Sequence, residues 1–104
     1  MIIQFNTDKN IDGSERHRAY FNSIIETELE RFSSQITRIE VHVSSEKGEK
    51  EGLQDIRCVL EVRLKGRSPL VITNHADREE LAISGATDKL RNSLESTLGK
   101  LSSH

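Results

Sequence analysis

Two stretches of the sequence, ITRIEVHV at residues 36–43 and DIRCVLEVRLK at residues 55–65, give the clearest indication of the fold class. In the first stretch, Ile39, Val41 and Val43 alternate with charged or polar side chains, and the second stretch alternates in the same way almost throughout. A period of two residues predicts β-strands that bury one face and expose the other. The sheet that contains them therefore needs a covering layer on one side only.

The sequence on either side of these strands supplies that layer. Two further strands and two amphipathic helices are predicted: IIQF at 2–5, LVITNH at 70–75, a helix over Glu15–Phe32, and a helix from about Asp77 to Leu101. Ser14 and Asp77 stand just before the helices, where a side-chain oxygen is expected to cap the first free N–H groups.

The predicted order of elements is β-α-β-β-β-α, and each helix has a single apolar stripe. Both helices must then lie on one face of a four-stranded sheet, which gives an α+β two-layer sandwich. A chain of 104 residues fits a single domain over residues 1–104. The expected core contains inward strand residues and helix leucines, among them Ile39, Val41, Cys58, Leu60, Leu90 and Leu94.

Composition limits the possible functions of this domain. The chain is 31% charged with a net charge of −2, so any nucleic-acid binding has to come from where the charges lie. No apolar run reaches the roughly 20 residues of a membrane span, and the N-terminus lacks the pattern of a signal peptide. With Cys58 as its one cysteine, the chain forms no internal disulfide, which fits the reducing cytoplasm.

The sequence shows no arrangement of residues that indicates catalysis. The four histidines lack the spacing of a metal site, and none is linked by a motif to Cys58, which falls in the inward register of its strand. We therefore expect no enzyme activity, no cofactor, no metal and no small-molecule substrate.

The second helix, which includes ISGATDKLRNSLESTLGKL at residues 83–101, has unequal flanks. Arg78, Lys89 and Lys100 recur every eleven residues, which places them in one longitudinal line, named here the basic row. The opposite flank, named here the acidic flank, carries these residues: Glu80, Asp88, Arg91 and Glu95. The basic row fits either a solvated helix face or a ridge that contacts phosphates.

Two stretches, LERFSSQITRIEVHVSSEK at residues 29–47 and LAISGATDKLRNSLESTLGKL at residues 81–101, resemble a known family. They are similar to the short ribosome hibernation-promoting factors and the related ribosome-associated inhibitor, which are also called sigma modulation proteins. The strongest element is DKL at Asp88–Leu90, and the resemblance extends over nearly the whole chain.

The resemblance implies a cytoplasmic protein that binds the small ribosomal subunit and its rRNA in the decoding cleft and inhibits translation by idle ribosomes. It also implies a monomer when free, with no membrane partner. Lys89 and Lys100 match basic positions of the family. Arg91 lies one place from a usual arginine, and Arg18 matches a basic site of the first helix if the alignment shifts by one.

The sequence departs from the family at positions where the family has basic side chains. Glu26 and Glu28 stand in the middle of the first helix where the family usually has lysines. An alternative reading is therefore a diverged member of the same fold that acts as a protein-interaction module without strong rRNA binding. A double-stranded RNA-binding domain ranks lower, because its last helix usually opens with lysines and here two glutamates follow Arg78.

Overall fold

The computed structural model describes residues 1–8, 11, 13–45 and 56–99, and in these it has the predicted order of elements. The strands and α-helices are β1 (Ile2–Thr7), α1 (Glu15–Glu28), β2 (Ile36–Ser45), β3 (Ile56–Leu64), β4 (Leu70–Ala76) and α2 (Glu79–Leu94). The sheet order is β1-β2-β3-β4, so β1 and β4 are its edge strands. The predicted α+β fold class is confirmed.

The sheet is mixed because α1 lies between β1 and β2 in the chain. A helical crossover returns the chain to the same end of the sheet, so β1 pairs with β2 in parallel. Strand β3 is antiparallel to both β2 and β4.

One hydrophobic core lies between the sheet and the helical layer. Phe21 and Ile25 of α1 and Ile83 and Leu90 of α2 are buried in the same cluster as the inward strand residues. The six predicted core residues are all fully buried: Ile39, Val41, Cys58, Leu60, Leu90 and Leu94. The inward faces of the strands and, over the described residues, both helix stripes are therefore as the sequence predicted.

The first helix is capped as predicted but is shorter. Ser14 has extended backbone angles, and its Oγ accepts a hydrogen bond from the His17 N–H at 3.3 Å. The α-helix ends at Glu28, and a 3₁₀ turn at Glu30–Phe32 continues the chain. This tighter turn still buries Phe32, which is why the apolar spacing alone suggested one continuous helix.

The prediction that Asp77 caps the second helix was wrong. Arg78 occupies the N-cap position of α2, and no side chain caps it. Arginine has no acceptor, and the negative charge that suits this helix end comes from Glu79 and Glu80 in the first turn. After Leu94 a π-helical turn follows at Glu95–Gly99, and the predicted end near Leu101 lies outside the described residues.

Candidate nucleic-acid interface

The α2 helix packs closely along the edge strand β4. The Asn74 side chain points toward the helix, and its Nδ2 donates to the backbone oxygens of Ala82 at 3.1 Å and Leu81 at 3.4 Å. A Cβ atom at Gly85 would overlap the amide group of Asn74, so glycine permits this approach. This contact fixes which flank of α2 lies beside β4.

The basic row lies on the β4 side of α2. Lys89 is exposed, and its Nζ donates to the backbone oxygen of Thr73 in β4 at 3.1 Å. Arg78, eleven residues earlier and about 16 Å away along the helix, is also exposed. Within the described residues, neither Arg78 nor Lys89 has a carboxylate within ion-pair distance. Their positive charges are therefore not cancelled by local acids.

The acidic flank faces α1 and joins the two helices. Arg91 bonds with Glu28 of α1, and its second guanidinium nitrogen lies 3.2 Å from Asp88. Just beyond the same end of α1, in the 3₁₀ turn, Arg31 Nη1 lies 3.3 Å from Glu95 Oε1. In the free protein the charge of Arg91 is thus offset by two carboxylates, and the proposal that Arg91 binds RNA stays a prediction.

The first turns of the two helices meet at the end of the layer that contains Arg18 and Arg78. His17 Nε2 lies 2.5 and 2.7 Å from the two carboxylate oxygens of Glu79. Arg18 follows His17, and Arg78 precedes Glu79. Arg18 is exposed, and no ion pair to it is found in the part of the chain that the structure describes. Lys100 lies outside the described residues.

Sequence reasoning missed the residues that place the basic row. Gly85 lies on the same flank as the basic row, and the structure uses it to accommodate Asn74. The available signal was an asparagine at an inward strand position, followed by the small residues Ala82, Gly85 and Ala86 at helical spacing. Thr73 had no signal, because it contributes a backbone oxygen.

Neither a metal site nor a reactive thiol is found in the same described ranges. No group of three or more histidine, cysteine or acidic side chains is placed to hold a metal ion there. Burial raises the pKa of the Cys58 thiol from its ordinary 9.0 to about 12, so it stays protonated and unreactive near neutral pH. No helix among these residues is long and apolar enough to cross a membrane.

Comparison with known proteins agrees with the fold. Residues 5–102 match the model of a family described as sigma 54 modulation protein / S30EA ribosomal protein. The chain belongs to this family. The resemblance drawn from residues 29–47 and 81–101 is therefore confirmed, and no curated protein is significantly similar to the chain in sequence.

Two solved structures share the architecture. The N-terminal domain of Protein Y from Thermus thermophilus superimposes with a TM-score of 0.72 at 20% identity, over 93% of this chain and 99% of that one. A ribosomal subunit interface protein from Coxiella burnetii gives a TM-score of 0.69 at 20% identity, over 95% and 99%. At such identity these likenesses establish the fold.

Proposed function

We propose that this protein binds the small ribosomal subunit through rRNA phosphate contacts in the decoding cleft and inhibits translation by idle ribosomes. The observation that carries the proposal is the family match over residues 5–102, whose description includes a ribosomal protein. That description names no reaction, which agrees with a role in binding. The protein would act in the cytoplasm, as a monomer when free and without a cofactor.

The basic row supplies a physical route to rRNA. The binding of a phosphate by a basic side chain without a nearby acid is favourable, because the counterions condensed on the RNA are released. Such contacts position a protein and carry no base specificity. The exposed aromatic residue of the described ranges is Tyr20, so a stacking platform for unpaired bases is not available there. Binding would depend on backbone and shape.

The proposed contacts differ in their expected contributions. Arg78 and Lys89 are exposed and have no acid partner in the described residues, so they should contribute most. Arg18 lies at the same end of the helical layer as Arg78 and should assist it. Arg91 would have to exchange Glu28 and Asp88 for a phosphate, so its net contribution should be smaller. Lys100 continues the basic row by sequence spacing.

Co-sedimentation with purified small subunits at rising salt tests the proposal directly. We expect binding that weakens steeply with salt, competition with initiator transfer RNA, and inhibition of cell-free translation. Undiminished transfer-RNA binding and translation at saturating protein would overturn the proposal.

A matched pair of variants tests the basic row. Lys89→Gln removes a charge beside β4, and Arg31→Gln removes the same charge on the side where Arg31 pairs with Glu95. Lys89→Gln should flatten the dependence of log affinity on log salt by about 0.7, the single-strand figure for one phosphate. Lys89→Gln combined with Lys100→Gln should flatten it by roughly 1–2. Equal effects of Lys89→Gln and Arg31→Gln would reduce the row to a solvated helix face.

A second candidate is a protein-interaction module without strong rRNA binding. The observation that favours it is a depression lined by Met1, Glu26, Thr27, Glu30 and Ser33, in which the charged side chains are acidic. A basic peptide would suit this depression better than RNA. This candidate would be supported if the protein does not bind small subunits but binds a basic protein partner in the absence of ribosomes. Glu26→Gln should then abolish binding to that partner.

A further inference from the structure

Three basic side chains lie in or beside the turn that joins β3 to β4. Arg63 is an outward residue of β3, and Lys65 and Arg67 follow it in the turn; all three are exposed, and together they are named here the turn cluster. Gly66 between them has a φ of 65°, a left-handed conformation that glycine adopts without strain. The Lys65 N–H donates to the Gln35 oxygen at 2.9 Å, which holds the turn against the start of β2.

A bulge in β2 places a fourth basic residue, Arg38, near the turn cluster. The register between β2 and β3 shifts between Ile36 and Arg38, so that both Ile36 and Ile39 face the core. The extra residue turns Arg38 to the open face, directly opposite Arg63. The Arg38 guanidinium bonds with Gln4 of β1, on the side of β2 away from β3, so Arg38 adds positive charge to this corner of the sheet without reaching toward Arg63.

The acids of the open face do not neutralise the turn cluster. Glu40 lies 3.9 Å from Arg38, and Glu61 lies 3.8 Å from His42. Within residues 1–8, 13–45 and 56–99, no carboxylate lies within ion-pair distance of Arg63, Lys65 or Arg67. The cluster is thus a second surface of uncancelled positive charge.

This surface continues the basic row around the edge of the sheet. Asn74 contacts Ala82, Thr73 contacts Lys89, and the turn shares a depression with Thr97, so α2 runs antiparallel to β4 along the edge strand. From Arg78 to Lys89 is about 16 Å along the helix, and from Lys89 to Thr97 about 12 Å more. Arg67 lies in the lining of that depression, at the far end of the same edge.

We propose that the turn cluster is a further RNA-binding site, at which Arg63, Lys65 and Arg67 contact the phosphates of an RNA strand that also passes the basic row along the β4 edge. The proposal rests on the proposed function and extends it to residues outside the helices. An anionic ligand is favoured because the three basic side chains of the turn cluster lie at one corner of the sheet and have no carboxylate partner within the described residues. A polyanion is favoured because that corner is continuous with the row on α2.

The test compares two double variants of equal net charge. Lys65→Gln/Arg67→Gln removes two bases of the turn cluster, and Arg31→Gln/Arg57→Gln removes one base from the helix side and one from the other end of the open face. Unchanged thermal midpoints would show that both variants fold. In sedimentation with small subunits at 0.1 M salt, two lost phosphate contacts should weaken binding about 10- to 30-fold and flatten the salt slope by roughly 1–2.

Hydroxyl-radical footprinting of rRNA identifies the partner. We expect the turn variant to lose a subset of the protected riboses while the control variant keeps them all. If the turn variant binds like wild type while Lys89→Gln weakens binding, the inference fails and the proposed function stands. If affinity falls with the footprint intact, the cluster contacts an acidic ribosomal protein and the inference is overturned. If wild type does not bind small subunits, both fail.

Discussion

The two flanks of α2 both carry charged side chains, but these side chains have different partners. On the acidic flank, Arg91 is bonded to Glu28 and Asp88, and Glu95 to Arg31, so these four charges and that of Arg31 are paired within the protein. In the basic row, Lys89 contacts the Thr73 backbone oxygen and no acid in the described residues. The neighbouring element, α1 in one case and β4 in the other, makes the difference.

The neighbouring element determines whether a basic side chain of α2 is available to an external anion. A backbone edge offers only partial charges to a lysine, so the full positive charge remains available to an external anion. Carboxylates on a facing helix, such as Glu28 on α1, instead form ion pairs with the basic side chains opposite them. The paired charge of Arg91 helps to hold the two helices together. The charge of Lys89 has no carboxylate partner in the described residues and can bind a phosphate.

The largest expected effect concerns the stripe that both flanks share. Leu90 is fully buried between them, so Leu90→Ala should lower the free energy of unfolding by about 2–5 kcal/mol. Leu81→Ala on the same helix is the control, because Leu81 is 44% exposed and should cost far less. Urea titration measures both. A loss under about 1 kcal/mol at Leu90, below the range for buried leucines, would mean that the stripe is misassigned.

The next largest effect on stability is expected at the contact between α2 and β4. Replacing an exposed helical glycine by alanine usually stabilises by about 1 kcal/mol. In Gly85→Ala the new methyl group would meet Asn74, so we expect a net destabilisation of about 1–2 kcal/mol. In an Asn74→Ala background the same change should cost less or become favourable. Stabilisation by Gly85→Ala in the wild-type background would show that the helix does not approach the strand this closely.

Most of the fold was available from the sequence because local patterns and burial agree. The alternation around Val41 and Leu60 set the inward faces, and the leucine spacing set the α2 stripe. The register shift at Ile36 and Arg38 had no local signal, since a bulge is visible only when two strands are paired. The α2 start was missed because Asp77 is a good capping residue by type, whereas Arg78 occupies that place.

The candidate site was only partly predictable for a related reason. Spacing put Arg78 and Lys89 on one flank, but it could not say that β4 lies beside them or that Glu28 would reach Arg91. Ion pairs between elements distant in sequence depend on tertiary packing. The turn cluster had no local signal, because its place at the edge of the sheet follows only from the pairing of β3 with β4.

A smaller effect is expected from the ion pairs of the acidic flank. Arg91 and Glu28 are 34% and 42% exposed at the side chain, so solvent screens their attraction. A double-mutant cycle with Arg91→Ala and Glu28→Ala should give a coupling energy of about 0.3–1 kcal/mol. The coupling should shrink as salt rises from 0.1 to about 1 M. A coupling that is absent at low salt would mean that the two helices are not joined here.

The smallest effect on stability is expected at Lys89, and it completes the comparison. Its hydrogen bond to Thr73 is exposed, so water can replace the ammonium group at that oxygen after Lys89→Ala. The free energy of unfolding should change by no more than about 0.5 kcal/mol, as for most surface substitutions. Binding to small subunits at 0.1 M salt should nevertheless weaken about fivefold, the scale of one phosphate contact. Arg91→Ala should show the reverse, with a greater loss of stability and a smaller loss of binding. Thermal unfolding and co-sedimentation of the two variants, measured side by side, give both quantities. If Lys89→Ala and Arg91→Ala lose stability and binding in the same proportion, the two flanks are equivalent and the distinction drawn from their neighbours is wrong.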